Sequence, residues 1–199
     1  GLRAGVTTFA DTGDSRAPFD ALRALGARGI AYREVFGPDP AQMDDAMHGL
    51  REKVAAMRAD ETPLVRVGVS PHAPYSVSDA LFTATASFAA AEVLPIAVHI
   101  AEGEDESLLV ERAQGPFADF LRSRGLEVEP RARSPIALLE RCGVLAARRR
   151  GGGQPGSVHG GRVRARLAPP RPALGRRGRA REDRGSDGRG SPDGRDDRR

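Results

Sequence analysis

The sequence predicts an α/β fold built on a parallel sheet. Two observations predict it. Short β-rich runs alternate with longer amphipathic ones over the first 147 residues, and the runs start roughly 25–35 residues apart, the length of a βα unit. A third observation bears on function: a histidine stands just past the apolar stretch of two of these runs, His72 and His99. Parallel barrels collect their polar groups at the carboxyl ends of strands.

Val6–Ala10 is β-branched, closed by Asp11 and Gly13, and reads as the first strand. Pro18 to Ala27 has helical spacing through Phe19, Leu22 and Leu25, with Gly29 as a stop. Ile30–Phe36 is the second strand, ended by Gly37-Pro38. Ala41 to Met57 carries Met43, Met47, Leu50, Val54 and Met57 on one helical face. Leu64–Val69 is the third strand. Ser78-Asp79 caps a helix running to about Val93, and Pro95–Ile100 is the fourth strand. Helices are expected over 108–124 and 134–145. Crossovers between parallel strands should be right-handed. Four βα units make about half of an eight-stranded barrel, which takes about 250 residues; an open doubly wound sheet fits the length better.

Charge divides the chain. Residues 1–147 hold 15 Lys+Arg against 21 Asp+Glu, whereas residues 148–199 hold 16 Arg against 6 acidic residues. The basic character belongs to the second part, so it does not make the chain a nucleic-acid binder. Residues 148–199 contain 12 Gly and 5 Pro and lack Lys, Ile, Met, Phe, Tyr and Trp. Such a stretch is expected to be a disordered basic tail, because it has too little apolar surface to offset ordering entropy. The whole chain has one Lys, Lys53, and no Asn, as a GC-rich gene would produce, and the Arg/Gly/Pro composition is what such a gene gives out of frame. A frameshift near residues 147–150 is therefore expected.

Cys142 is the only cysteine, which excludes an intrachain disulfide and a cysteine-built zinc site. It fits a reducing compartment, and a cytoplasmic location is expected. No apolar run reaches the about 18 residues of a membrane span. The chain opens at Gly1, without Met and almost inside a strand, so the natural polypeptide is expected to start earlier.

Several blocks carry a resemblance. They are Gly5-Val6-Thr7-Thr8 with Asp11; Ser70-Pro71-His72-Ala73-Pro74-Tyr75-Ser76; His99-Ile100-Ala101-Glu102; and Ser134-Pro135 with Leu138-Leu139 and Gly143-Val144-Leu145. In this order and spacing the chain resembles the amidohydrolase superfamily, in its cytosine deaminase and S-adenosylhomocysteine deaminase-like branch, over about residues 1–147. The resemblance implies a partial (β/α)8 barrel of about four units. It implies a metal-dependent hydrolase of C–N bonds other than peptide bonds, an aminohydrolase of purine-like or other amino-heterocyclic small molecules. It implies one divalent metal, zinc or iron, and allows a homo-oligomer of the intact parent.

By position in the motifs, His99 matches the metal ligand after the fifth strand of the family barrel. Glu102 matches the acid/base that moves a proton from the attacking water to a ring nitrogen, and His72 the histidine that contacts substrate. Imidazole suits both metals, a bound metal lowers the pKa of its water from about 15.7 to about 7, and a nearby carboxylate can then act as general base. Each residue also has a structural reading. A strand-end histidine can simply be a satisfied polar group, Glu102 opens an acidic run to Glu106, and His72 lies between Pro71 and Pro74 as in a rigid turn. Tyr32 and Glu34 share one strand face, at a barrel mouth or in packing. Asp11 reads as structural and His48 as surface.

The family's His-x-His pair would precede Gly1, and its later histidine and aspartate would follow Leu145. His159, among the Arg and Gly residues, is not expected to complete the set. The chain alone is expected to be inactive. The rival readings are a nucleic-acid-binding module acting through the Arg/Gly stretch, and a non-catalytic remnant.

Overall fold

Three parallel strands, β1 (Thr8–Gly13), β2 (Arg28–Val35) and β3 (Val65–Pro71), form a sheet in the order β1-β2-β3. The computed structural model describes residues 1–146. The expected boundary at 147/148, the tail beyond it and His159 lie outside the described residues.

The sheet register places Thr12, Tyr32 and Glu34 on one face. Thr12 pairs with Tyr32, Tyr32 with Gly68, and Glu34 with Ser70, and paired residues of parallel strands project to the same side. Val65, Val67 and Val69 alternate with these and are buried on the opposite face. Gly68 is needed where it stands, because a Cβ there would lie 2.5 Å from the Tyr32 ring.

β1 begins two residues later than expected and runs on to Gly13. Gly5, at φ +82, closes a short 3-10 turn, and the Val6 N–H bonds to the Gly1 carbonyl instead of entering the sheet. α1 (Ala17–Ala24) connects β1 to β2 and buries Phe19 and Leu22. α2 (Met43–Arg58) buries Met47, Leu50, Val54 and Met57, the stripe its spacing predicts. α3 (Asp79–Ala91) follows β3. Its cap Ser78 accepts the Leu81 N–H at 3.3 Å, an interaction whose loss costs about 1 kcal/mol. Leu81 and Phe82 are fully buried in the same core, each contributing about 2–3 kcal/mol by removal from water.

The fourth expected strand shrinks to one parallel bridge between Val69 and Ile96. The Val69 N–H bonds to the Pro95 carbonyl at 2.9 Å, and the Ala97 N–H to the Val69 carbonyl at 3.0 Å. The next donor on β3 would be residue 71, which is Pro71 and has no N–H, so the ladder stops. The chain then bends and the His99 N–H bonds to the His72 carbonyl at 2.9 Å.

The single helix expected over 108–124 is two, α4 (Glu104–Arg112) and α5 (Pro116–Ser123). Gly115-Pro116 breaks it: the proline disfavours a helical residue before it, and Gly115 sits at φ +86. α6 (Pro135–Arg141) starts on the Ser134 cap and stops sooner than expected, before Gly143 at φ +76. Among the described residues no helix is long and apolar enough to cross a membrane.

Candidate metal and proton-transfer site

The site gathers at the carboxyl ends of the strands. β1 supplies Thr12, β2 supplies Glu34, the loop after β3 supplies His72, and the segment after the Ile96 bridge supplies His99. The ligand atoms of Glu34, His72 and His99 all lie within 4.8 Å of one another. His99 Nε2 is 3.3 Å from Glu34 Oε1 and 3.2 Å from Thr12 Oγ1.

Hydrogen bonding sets the tautomer of His72. Its Nδ1 lies 2.7 Å from Ser76 Oγ, and that hydroxyl donates its one hydrogen to the Ala73 carbonyl at 3.2 Å. In that arrangement Nδ1 carries the proton and donates, which leaves Nε2 with a lone pair. Burial holds His72 below the usual histidine range, and the neighbouring His99 pushes the same way against the opposing pull of Glu34 and Glu102. Neutral imidazole is the form that binds a metal or accepts a hydrogen bond.

Imidazole and carboxylate are donors suited to zinc or iron(II). An open catalytic zinc site usually takes three protein ligands. His99 and Glu34, 3.3 Å apart, fit two of them by donor chemistry and spacing, and the His72 imidazole faces the same point.

Glu102 stands outside this cluster and is exposed. Its Oε2 accepts the Tyr75 hydroxyl at 2.8 Å. Tyr75 in turn stacks on Phe117, with ring centroids 4.3 Å apart, and meets the His72 ring edge-on at 5.6 Å. Phe36 lies 4.8 Å from His72. Burial, reinforced by the bond to Glu102, pushes the Tyr75 phenol up to about 12.

The loop from His72 to Ser78 is pinned from both sides. The Gly37 N–H bonds to the Ser76 carbonyl at 3.0 Å and the Ser78 N–H to the Gly37 carbonyl at 2.8 Å. The Arg131 guanidinium donates to the Pro74 and Val77 carbonyls and to Asp79.

The structure thus brings His72 and His99 together, with Glu102 joined to them through Tyr75. It adds Glu34, Thr12 and Tyr75. The alternation that puts Tyr32 and Glu34 on one face was a usable signal for Glu34. Nothing in the sequence pairs Thr12 with His99. Asp11 projects from the opposite face of β1 to Thr12, and His48, on α2, faces Glu52 at 3.4 Å in a largely exposed pair.

A profile of the amidohydrolase family matches residues 2–130. The chain belongs to the amidohydrolase family. It is 33% identical over 143 residues to the aminodeoxyfutalosine deaminase of Deinococcus radiodurans, covering 65% of this chain and 34% of that protein. It is 30% identical over 146 residues to a 5-methylthioadenosine/S-adenosylhomocysteine deaminase of Syntrophobacter fumaroxidans, covering 72% of this chain and 30% of that protein. The chain spans about a third of the length of the curated relatives it matches. The crystal structure of Helicobacter pylori aminofutalosine deaminase superimposes with a TM-score of 0.61 at 17% identity, covering 67% of this amidohydrolase chain and 33% of the other. A Xanthomonas campestris adenosine deaminase with bound zinc gives 0.50 at 22%, covering 72% and 29%.

Proposed function

We propose that this chain is the part of a metal-dependent aminohydrolase that carries one wall of its active site, with an amino-purine nucleoside or related amino-heterocycle as substrate. The observation that carries this reading is the convergence of Glu34, His72 and His99 at adjacent strand ends, with Glu102 tied to them through Tyr75. The deaminase relatives support the reaction class.

His99 would hold the divalent metal, with Glu34 as the nearest oxygen donor. When bound, the metal supplies Lewis acidity and a water of lowered pKa. Glu102 takes a proton from the attacking water and delivers it to a ring nitrogen. Tyr75 keeps that carboxylate aimed by donating to one of its oxygens. His72, held neutral with Nε2 free, accepts a hydrogen bond from the heterocycle and orients its amino-bearing carbon. Addition of water and loss of ammonia complete the exchange of C–N for C–O. On this reading the strands and helices of residues 1–146 are consecutive βα units of a barrel.

Zinc titration followed by addition of a 5′-deoxyadenosine-type nucleoside, with ammonia release measured alongside, tests this reading. The expected result is zinc-dependent nucleoside binding that His99→Gln abolishes, without turnover by this chain alone. Nucleoside binding indifferent to zinc and to His99→Gln would overturn the site. Turnover that is lost in Glu102→Gln would overturn the reading of the chain as only part of an enzyme.

A further inference from the structure

Glu106 is 1% exposed, the one acidic side chain among the described residues that is buried. Its Oε1 accepts the N–H of Ala101 at 2.9 Å and its Oε2 the N–H of Glu102 at 3.0 Å. A glutamate three residues into a helix ordinarily reaches back to the N–H of the capping residue. Here the cap is Gly103, and Glu106 passes over it to the two residues before. Its carboxylate serves the loop between His99 and the helix, not the first turn of α4.

That loop needs holding. Ala101 sits at φ +59, a left-handed conformation that costs a residue with a Cβ energy. Such conformations persist where surrounding contacts over-determine them. Two charge-assisted bonds from a buried carboxylate supply that determination. The next residue is Glu102, whose carboxylate accepts the Tyr75 hydroxyl.

We propose that Glu106 is a positioning residue for Glu102, fixing through the Ala101 and Glu102 amides the direction in which the Glu102 carboxylate leaves the main chain. The importance of this depends on the role given to Glu102 above, but the geometry and its test do not.

The chain has two tyrosines and no tryptophan, so in a Tyr32→Phe background the tyrosine emission reports Tyr75 alone. A phenol bonded to a carboxylate is quenched. Glu102→Gln should therefore brighten Tyr75 and set the scale. Glu106→Gln, which keeps the side-chain shape but turns one acceptor into a donor facing an N–H, should brighten it to a similar extent at neutral pH with the far-UV spectrum unchanged. Glu106→Asp, too short to reach both amides, should do likewise. Emission that stays at the parent level in folded Glu106→Gln and Glu106→Asp would show that the carboxylate holds the loop without aiming Glu102, and would overturn the proposal. If both variants fail to fold, Glu106 is a requirement of the fold and the assignment to the site falls. A failure of zinc or nucleoside binding leaves this readout untouched, so it bears on the proposed function alone.

Discussion

Tyr75 donates its hydroxyl to Glu102 across 2.8 Å and so joins the loop that carries His72 to the loop that follows His99. The bond has a consequence at alkaline pH. An unfolded tyrosine ionises near about 10, whereas burial and the Glu102 bond push Tyr75 up to about 12. The folded state holds this proton more tightly than the unfolded state. The resulting stability is complete below about pH 10 and is lost as pH rises from about 10 to about 12. Tyr75→Phe should flatten that decline in urea midpoints measured at pH 9, 10.5 and 11.5. An unchanged slope would place the alkaline loss elsewhere.

His72 carries the opposite sign. Burial lowers its pKa below the ordinary 6.5, so the unfolded state takes up the proton first as pH falls. The stability gained is present above about pH 6.5 and is lost below it. His72→Gln should make the dependence of the urea midpoint between pH 7 and 5 shallower. Nitrogen-15 NMR should find His72 titrating below 6.5 with Nδ1 as the protonated nitrogen. A Nδ1 that carries no hydrogen would contradict the Ser76 bonding scheme.

Metal affinity separates the two histidines. His99→Gln and Glu34→Gln should each weaken zinc binding by at least about tenfold, the scale on which even outer-shell partners act. His72→Gln should leave it within a few-fold, because His72 is assigned to the substrate. Competition titration against a zinc indicator measures all three. An equal loss in His72→Gln would make it the third ligand.

Val93 is a β-branched residue at φ 53 and is 65% exposed. Left-handed backbone costs such a residue about 1–2 kcal/mol, and little burial is lost on truncation. Val93→Gly should stabilise the protein by about 1 kcal/mol in equilibrium urea unfolding. A destabilised variant would show that the side chain supports the turn into Leu94.

The alternation of strands and helices was legible because side-chain period is a local property. Met47, Leu50, Val54 and Met57 had only to recur at helical spacing to mark the buried face of α2. His72 and His99 were legible because each follows an apolar run. Glu34 was visible as a strand-face residue, but only the register opposite Ser70 and the approach to His99 separate a site residue from a packed one. The break between α4 and α5 was written in Gly115-Pro116, a signal that the apolar period across it conceals. Glu106 was not legible as anything but part of an acidic run, because its partners are two amides exposed by a left-handed turn at Ala101.

Pro71, by withholding one N–H, does more than end a ladder. With the regular pairing stopped there, the amide of His99 meets the carbonyl of His72, and the spacing of the backbone points that carry the two imidazoles becomes a property of the main chain. Substituting either ring removes a donor but leaves its anchoring point in register with the other. The frame of the site should therefore outlast the loss of any one of its side chains, so that single substitutions here report chemistry and not collapse.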